Sequence, residues 1–123
     1  MGVKAIVTGH SRGLGAAIVD TLLARAIPVL GLARHCHPSS DPRLSQHMLD
    51  LANPQALAEW LASSSLGDFL ADASQALLIN NAGQVQPIAP VGQQHAAEII
   101  QAVNLNVTAP LLLANAFVAA SLH

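Results

Sequence analysis

The chain has 123 residues, of which 52% are apolar and only 10% are charged, whereas an ordinary soluble domain is roughly 25% charged. An apolar content this high excludes intrinsic disorder. The formal charge is −2 and the few basic residues are scattered, which argues against a nucleic-acid partner. The length suits one domain, residues 1–123, and is too short for a second.

Compartment and membrane signals point to a cytoplasmic protein. Cys36 is the single cysteine and the N-terminus lacks the apolar region of a signal peptide, so we expect no secretion and no disulfide. The longest apolar stretch, residues 110–122, is shorter than the roughly 20 residues that a membrane span needs. We interpret it as a helix with buried and half-buried faces and expect no membrane partner.

The N-terminal part predicts a strand, a glycine loop and a helix, in that order. Residues 4–8 are a short apolar run typical of a buried strand. Residues 14–25 follow with helical spacing, which predicts one buried face made of Leu14, Ile18 and Leu22.

The rest of the chain continues this alternation. Strands are predicted over residues 28–33 and 77–80, with a weaker one over 46–51. Asn53-Pro54 predicts a helix start, because an N-cap residue precedes a proline at the first helical position. The residues that follow at the spacing of a core-facing stripe are Leu57, Trp60 and Leu61. Two further helices are predicted over 93–103 and 108–122. The alternation indicates an α/β fold with a parallel sheet.

The loop between the first strand and the first helix has the pattern of a phosphate-binding turn. Gly9 permits a sharp turn, Gly13 permits close approach of the backbone to a pyrophosphate, and Gly15 permits close packing of helix on sheet. The N-terminus of the helix offers free N–H groups to an anion. In this context the loop predicts a nucleotide site, and the absence of a following Gly-Lys-Ser/Thr excludes a P-loop.

The end of the second strand bears on the choice of cofactor. An acidic residue there would bind a ribose 2′-hydroxyl and select NAD, but this sequence has Ala33-Arg34-His35. Arg34 and Arg12 would offer two guanidinium groups to a 2′-phosphate, which favours NADP(H) over NAD(H). The alternative for Arg34 is a solvated loop residue.

Three motifs together resemble the short-chain dehydrogenase/reductase family. They are Thr8-Gly9-x-x-x-Gly13-x-Gly15, Asn80-Asn81-Ala82-Gly83, and Asn106 within residues 104–110. The resemblance covers the first half of that family's domain. It implies a Rossmann-type, doubly wound parallel sheet of about four strands that is incomplete at its C-terminus. Residues 78–87 are also similar to the branch that contains sepiapterin and benzil reductases.

The resemblance also implies roles for particular residues. The pyrophosphate and 2′-phosphate contacts would be Gly9, Ser11, Arg12, Gly13, Leu14 and Gly15. The adenine contacts would be Asp50 and Leu51, and the cofactor ribose would be lined by Asn80, Ala82 and Gly83. Asn106 would support the catalytic proton relay through a backbone kink and a bound water, with Asn104 as the alternative alignment.

The sequence departs from the family in its catalytic residues. The family transfers a hydride to or from the nicotinamide while a tyrosine, assisted by a lysine and a serine, acts as general acid or base. This chain has no tyrosine, and Lys4 is its one lysine, so we expect these 123 residues alone to be inactive. His10 would face the phosphates, and none of the six histidines is expected to substitute, His123 included. His35-Cys36-His37 lacks a four-ligand set, so we expect a surface loop and no metal.

The apolar stretch 111–118 and an unpaired edge at the fourth strand predict a homo-oligomer or self-association, and the resemblance implies association through this helix. The function predicted is the cofactor-binding portion of an NADP(H)-dependent short-chain oxidoreductase. Its partners would be a nicotinamide dinucleotide and, once completed, a small carbonyl or alcohol. The alternative is a non-catalytic module that binds a dinucleotide or a partner protein.

Overall fold

The computed structural model of the chain describes residues 2–84 and 89–122. Strands and helices alternate as the sequence predicts, in this order: β1 (Val3–Thr8), α1 (Gly13–Ala24), β2 (Val29–Ala33), β3 (Leu44–Met48), α2 (Pro54–Ala62), α3 (Ser65–Leu70), β4 (Gln75–Ile79), α4 (Ala96–Val103), a π-helical turn (Asn104–Thr108) and α5 (Ala109–Ser121). Residues 85–87, used for the similarity to the benzil reductase branch, and His123 lie outside the described residues.

The four strands form one sheet in the order β3-β2-β1-β4, and every neighbouring pair is parallel. This confirms the α/β prediction, and the order matches the first four strands of the doubly wound Rossmann sheet. Because all strands run the same way, the loops that follow them meet at one edge of the sheet. β4 is the outermost strand on its side of the described sheet.

Apolar side chains cover both faces of the sheet. On one face, Ile6 and Leu30 pack with Leu57 of α2 and Leu113 of α5, all almost fully buried. A second cluster, on the face covered by α1, consists of Val7, Val19, Leu23 and Val29. Alternation of side chains along each strand explains why neighbouring strand residues belong to different clusters.

The predicted buried face of α1 is wrong. Leu14 is 70% exposed, and the residues that face the sheet are Gly15, Val19 and Leu23. Each lies one position after a predicted one, because the contact at Gly15 presses that side of the helix against the β1 loop. Ile18 and Leu22 pack only at the margin of the cluster.

The start of α2 is confirmed in atomic detail. Asn53 Oδ1 accepts hydrogen bonds from the backbone N–H groups of Gln55 and Ala56, at 3.1 and 3.2 Å. Trp60 and Leu61 lie half-buried against the core, as predicted. The sequence did not predict α3, because its six residues are too few to show a helical period. The third strand begins two residues before the predicted range and ends at Met48.

The two predicted C-terminal helices are one continuous helix in the structure, because the π-helical turn joins α4 to α5. Its 26 residues, Ala96–Ser121, have a mean hydropathy of 1.5 in the most apolar window, and 11% of that window is buried. The stretch 110–122 is thus part of a helix that is long and apolar enough to cross a membrane by length and composition alone. Core helices of soluble proteins meet the same criterion, and Ala109 and Leu113 of this helix belong to the core.

Candidate functional site

A cleft of about 340 Å³ opens at the edge of the sheet where the strands end. The loops after β1, β2, β3 and β4 and one side of the long helix form its walls. The predicted cofactor residues that line it are Gly9, Ser11, Arg12, Gly13, Arg34, Asp50, Leu51, Ala82 and Gly83. The predicted residues that do not line it are Leu14, Gly15, Asn80 and Asn106.

The glycine loop needs its glycines for different reasons. Gly9 and Gly13 have φ values of +63° and +57°, a left-handed conformation that side chains disfavour. Gly15 has an ordinary conformation, but a Cβ there would lie 2.0 Å from the Gly9 carbonyl oxygen. Gly15 therefore shapes the site by letting the loop lie on the helix, without lining the cleft itself. The N-cap residue of α1, Arg12, makes no side-chain cap hydrogen bond.

Hydrogen bonds join the glycine loop to the loop after β4. Thr8 Oγ1 accepts from the backbone N–H groups of Asn81 and Ala82, both at 3.0 Å. Asn81 Nδ2 donates to the Gly9 carbonyl oxygen at 3.1 Å. Asn81 therefore lines the cleft, whereas Asn80 is exposed outside it. The prediction of Asn80 is corrected by one position, since neighbouring side chains at a strand end point in opposite directions.

Two cationic side chains lie at the cleft. Arg12 comes from the glycine loop and Arg34 from the loop after β2. Among the residues that the structure describes, neither is in an ion pair, whereas Arg43 lies 3.7 Å from the Asp41 carboxylate. The cleft therefore has two guanidinium groups available to an anion.

The loop after β3 forms another wall of the cleft. Leu51 is buried and Asp50 lies beside it, with Asp50 Oδ1 accepting from the Ala52 N–H at 3.0 Å. The lining residues that the sequence analysis missed are Ala33, His35, Leu49, Ala52, Asn81, Gln84, Gln101 and Leu105. All adjoin a predicted residue except Gln101, which comes from the long helix and has no local sequence signal.

Asn106 lies in the π-helical turn, and its side chain holds the loop after β4. Its Oδ1 accepts from the Gln84 N–H at 2.9 Å, and its Nδ2 donates to the Gln84 carbonyl oxygen at 2.8 Å. Within the described residues, the side chain of the alternative residue, Asn104, makes one long contact, in which its Oδ1 accepts from Thr108 Oγ1 at 3.4 Å. Asn106 thus positions a lining residue, and Asn104 does not.

Two predictions about histidines are wrong. The side chain of His10, a residue of the glycine loop, is 1% exposed, packs against Gly31 of β2 and does not line the cleft, so it does not face phosphates there. His37 is also buried and its Nε2 donates to Asp20 at 2.8 Å, although Arg34, His35 and Cys36 before it are exposed. The described part of the chain holds no cluster of three or more metal-ligating side chains.

Known proteins match this chain over nearly its whole length. It is 38% identical over 113 residues to a benzil reductase of Bacillus subtilis, and 32% identical over 122 residues to one of Bacillus cereus. The crystal structure of a short-chain dehydrogenase/reductase from Burkholderia vietnamiensis is 49% identical, with a TM-score of 0.94 over 97% of this chain and 57% of that one. These matches support assignment of the chain to the short-chain dehydrogenase/reductase family, over about half of the length of its relatives. No family model matches it.

The chain spans about half the length of the curated relatives it matches: 91% of it covers 46% and 48% of the two benzil reductases. A metagenomic short-chain oxidoreductase in complex with NADP is 30% identical, with a TM-score of 0.79 over 94% of this chain and 54% of that protein. The resemblance drawn from three sequence motifs is therefore confirmed, including the similarity to benzil reductases.

Proposed function

We propose that this chain binds NADP(H) as the cofactor-binding portion of a short-chain oxidoreductase that reduces a carbonyl or oxidises an alcohol. The observation that supports it best is the pair of guanidinium groups, Arg12 and Arg34, at a cleft that begins with a glycine loop. A dianionic 2′-phosphate gains charge-assisted hydrogen bonds there, whereas a 2′-hydroxyl leaves both cations without a counter-charge. The NADP complex of the metagenomic relative supports the same assignment.

In this proposal the remaining cleft residues bind different parts of the dinucleotide. The glycine loop and the N-terminus of α1 bind the pyrophosphate through backbone N–H groups. Asp50 and Leu51 contact the adenine, and Ala82 and Gly83 border the ribose next to the nicotinamide. Asn106 acts by positioning Gln84. The bound cofactor would supply the hydride, and the benzil reductase relatives support a carbonyl as its acceptor.

Hydride transfer also needs a proton donor, and residues 1–123 contain no tyrosine. Lys4 does not replace the lysine of the family, because it lies in β1 and donates to the Phe69 carbonyl oxygen at 2.9 Å. We propose that these residues alone bind cofactor without turnover. NADPH oxidation with benzil as acceptor should stay at the buffer rate, and turnover above it would contradict this proposal.

The cofactor assignment is tested by charge reversal in the loop after β2. Arg34→Glu should weaken NADPH binding at least tenfold, because a charge-assisted bond is replaced by repulsion, and should leave NADH binding unchanged. Arg43→Glu is the matched control, since Arg43 lies in the same loop but does not line the cleft. Equal loss of both cofactors with Arg34→Glu would refute a 2′-phosphate contact, and binding of neither by the unmodified chain would refute the cofactor assignment.

A second function, assembly with another copy of the chain, is favoured by exposed apolar side chains on the long helix. They are Ile99, Ile100, Val103, Val107, Leu111 and Val118, each at least 40% exposed. We propose that residues 1–123 form one cytoplasmic domain whose long helix covers the sheet on one side and a second copy on the other. The alternative function is that of a non-catalytic module that binds a dinucleotide or a partner protein. Such a module would use the same apolar surface, but it would have no reductase activity even when joined to the rest of a reductase domain.

A further inference from the structure

Gln46 of β3 lies at the centre of a hydrogen-bonded chain that runs behind the cleft. Its Oε1 accepts from the His37 backbone N–H at 2.6 Å, and its Nε2 donates to the His37 carbonyl oxygen at 3.1 Å. One side-chain amide thus satisfies both backbone groups of a single loop residue. His37 is fixed from the other side as well, because its Nε2 donates to Asp20 of α1 at 2.8 Å.

The same Gln46 oxygen is also bonded to the glycine loop. His10 Nε2 lies 2.6 Å from Gln46 Oε1, and since that oxygen can only accept, the His10 proton is on Nε2. The ring packs directly on Gly31 of β2, where a Cβ would come within 2.5 Å of it. Gly31 is opposite Gln46 in the register of β2 and β3, which places the ring beside the amide.

These contacts anchor the segment that bears Arg34 at both ends. On one side, Ala33 ends β2, and its carbonyl oxygen accepts from the Leu49 N–H at 2.8 Å. On the other side, His37 is held by Gln46. Only residues 34–36 lie between the two anchors, and Arg34 and His35 line the cleft. A loop this short between fixed ends has few conformations.

We propose that Gln46, together with His10 and His37, is the positioning group that makes this cleft discriminate a 2′-phosphate from a 2′-hydroxyl, by fixing the segment that bears Arg34. The inference rests on the proposed binding of NADP(H). Gln46 does not line the cleft, so it acts through Arg34 and has no contact of its own with the nucleotide. Recognition of a phosphate by a guanidinium depends on the direction of its donors, which a loosened segment would not maintain.

The test is a double-mutant cycle on the 123-residue chain, with dissociation constants for NADPH and NADH measured by calorimetry. Gln46→Ala should lower the ratio of NADPH to NADH affinity about tenfold, as expected for the loss of one charged contact. In an Arg34→Ala background the same change should have no further effect on the ratio, because the two residues act through one contact. Asp20→Ala, an exposed change, should lower the ratio in the same direction.

His47→Ala is the matched control. His47 is the next residue of β3 and accepts a hydrogen bond from Trp60 Nε1 at 2.8 Å, so its loss weakens the same strand without touching the network. It should leave the ratio unchanged. An unchanged ratio in Gln46→Ala, with a lowered ratio in Arg34→Ala, would overturn the positioning role and leave the proposed function standing. If Arg34→Ala itself has no effect on the ratio, both fail.

A measurement without nucleotide separates the two proposals further. In the free protein, hydrogen exchange at the His37 amide should be faster in Gln46→Ala than in the unmodified chain, since its acceptor is removed. Wild-type exchange at His37 in that variant would overturn the inference even if neither cofactor binds.

Discussion

Asn106 is hydrogen-bonded through its side-chain amide to both backbone groups of Gln84, at 2.9 Å and 2.8 Å. The two residues are 22 positions apart, one in the π-helical turn and the other in the loop after β4. The extra residue of a π-helical turn changes the direction of the side chains in it, and such turns are frequent at functional sites. Here the turn, which is part of the long helix, directs the Asn106 side chain to the loop after β4, which forms one wall of the cleft.

Replacing Asn106 should therefore loosen the loop after β4. Asn106→Ala removes both hydrogen bonds, so we expect a loss of about 1–2 kcal/mol in stability, faster hydrogen exchange at the Gln84 amide and weaker NADPH binding. Asn104→Ala is the control from the same turn, because that side chain makes only the 3.4 Å contact with Thr108. Unaltered exchange at Gln84 in Asn106→Ala would show that the amide does not hold the loop.

Gly15 should tolerate no side chain. A Cβ would lie 2.0 Å from the Gly9 carbonyl oxygen and 2.6 Å from Asn81 Nδ2, so Gly15→Ala must displace the glycine loop or the loop after β4. We expect a loss of about 3 kcal/mol in the free energy of urea unfolding. Gly67→Ala in α3 meets nothing within 4 Å and should be neutral or stabilising by up to about 1 kcal/mol. Similar unfolding midpoints for the two variants would contradict this account.

Low pH should remove the stabilisation that one ion pair provides at the end of the sheet opposite the cleft. Lys4 Nζ lies 2.6 Å from Asp72 Oδ1, and the hydrogen bond from Lys4, followed by its charge, lowers the pKa of Asp72 below the ordinary value of 3.8. Because the folded pKa is the lower one, the stabilisation is fully present above the unfolded pKa. It is lost as the pH falls through the folded pKa.

The stability difference between the unmodified chain and Asp72→Asn should therefore shrink as the pH is lowered from about 5 to about 2. Urea unfolding at several pH values measures it. In a Lys4→Met background, Asp72→Asn should show a weaker pH dependence, since the two largest effects that lower the pKa of Asp72 come from Lys4. A difference that grows with acid would mean that the pKa of Asp72 is raised in the folded chain.

Self-association should depend on the exposed apolar side of the long helix. Leu111 is 66% exposed, so Leu111→Glu should lower the apparent mass measured by light scattering at high protein concentration while leaving the fold intact. Val91→Glu is the control, because Val91 is 96% exposed but lies before the long helix begins at Ala96 and is not one of its exposed apolar residues. A monomeric unmodified chain would refute association through this surface.

Most elements of the fold could be predicted from local signals. The run at β1, the glycine loop and Asn53-Pro54 each specify a structure through residues that are adjacent in the chain, as the Asn53 hydrogen bonds show. The rotation of α1 could not be predicted, because its apolar residues permit two neighbouring stripes and the packing at Gly15 selects one. The continuity of α4 and α5 likewise could not be predicted, because the π-helical turn that joins them has no hydrophobic periodicity in the sequence.

The sequence by itself determined the family resemblance, the parallel α/β architecture and about half of the cleft residues, because glycines, N-caps and strand ends act through the local backbone. Only the tertiary structure decided that Asn81 lines the cleft in place of Asn80, that Asn106 acts through Gln84, and that His10 is buried against Gly31 and bonded to Gln46. Those relationships join residues far apart in the chain. They depend on strand register and helix packing, which no local pattern specifies.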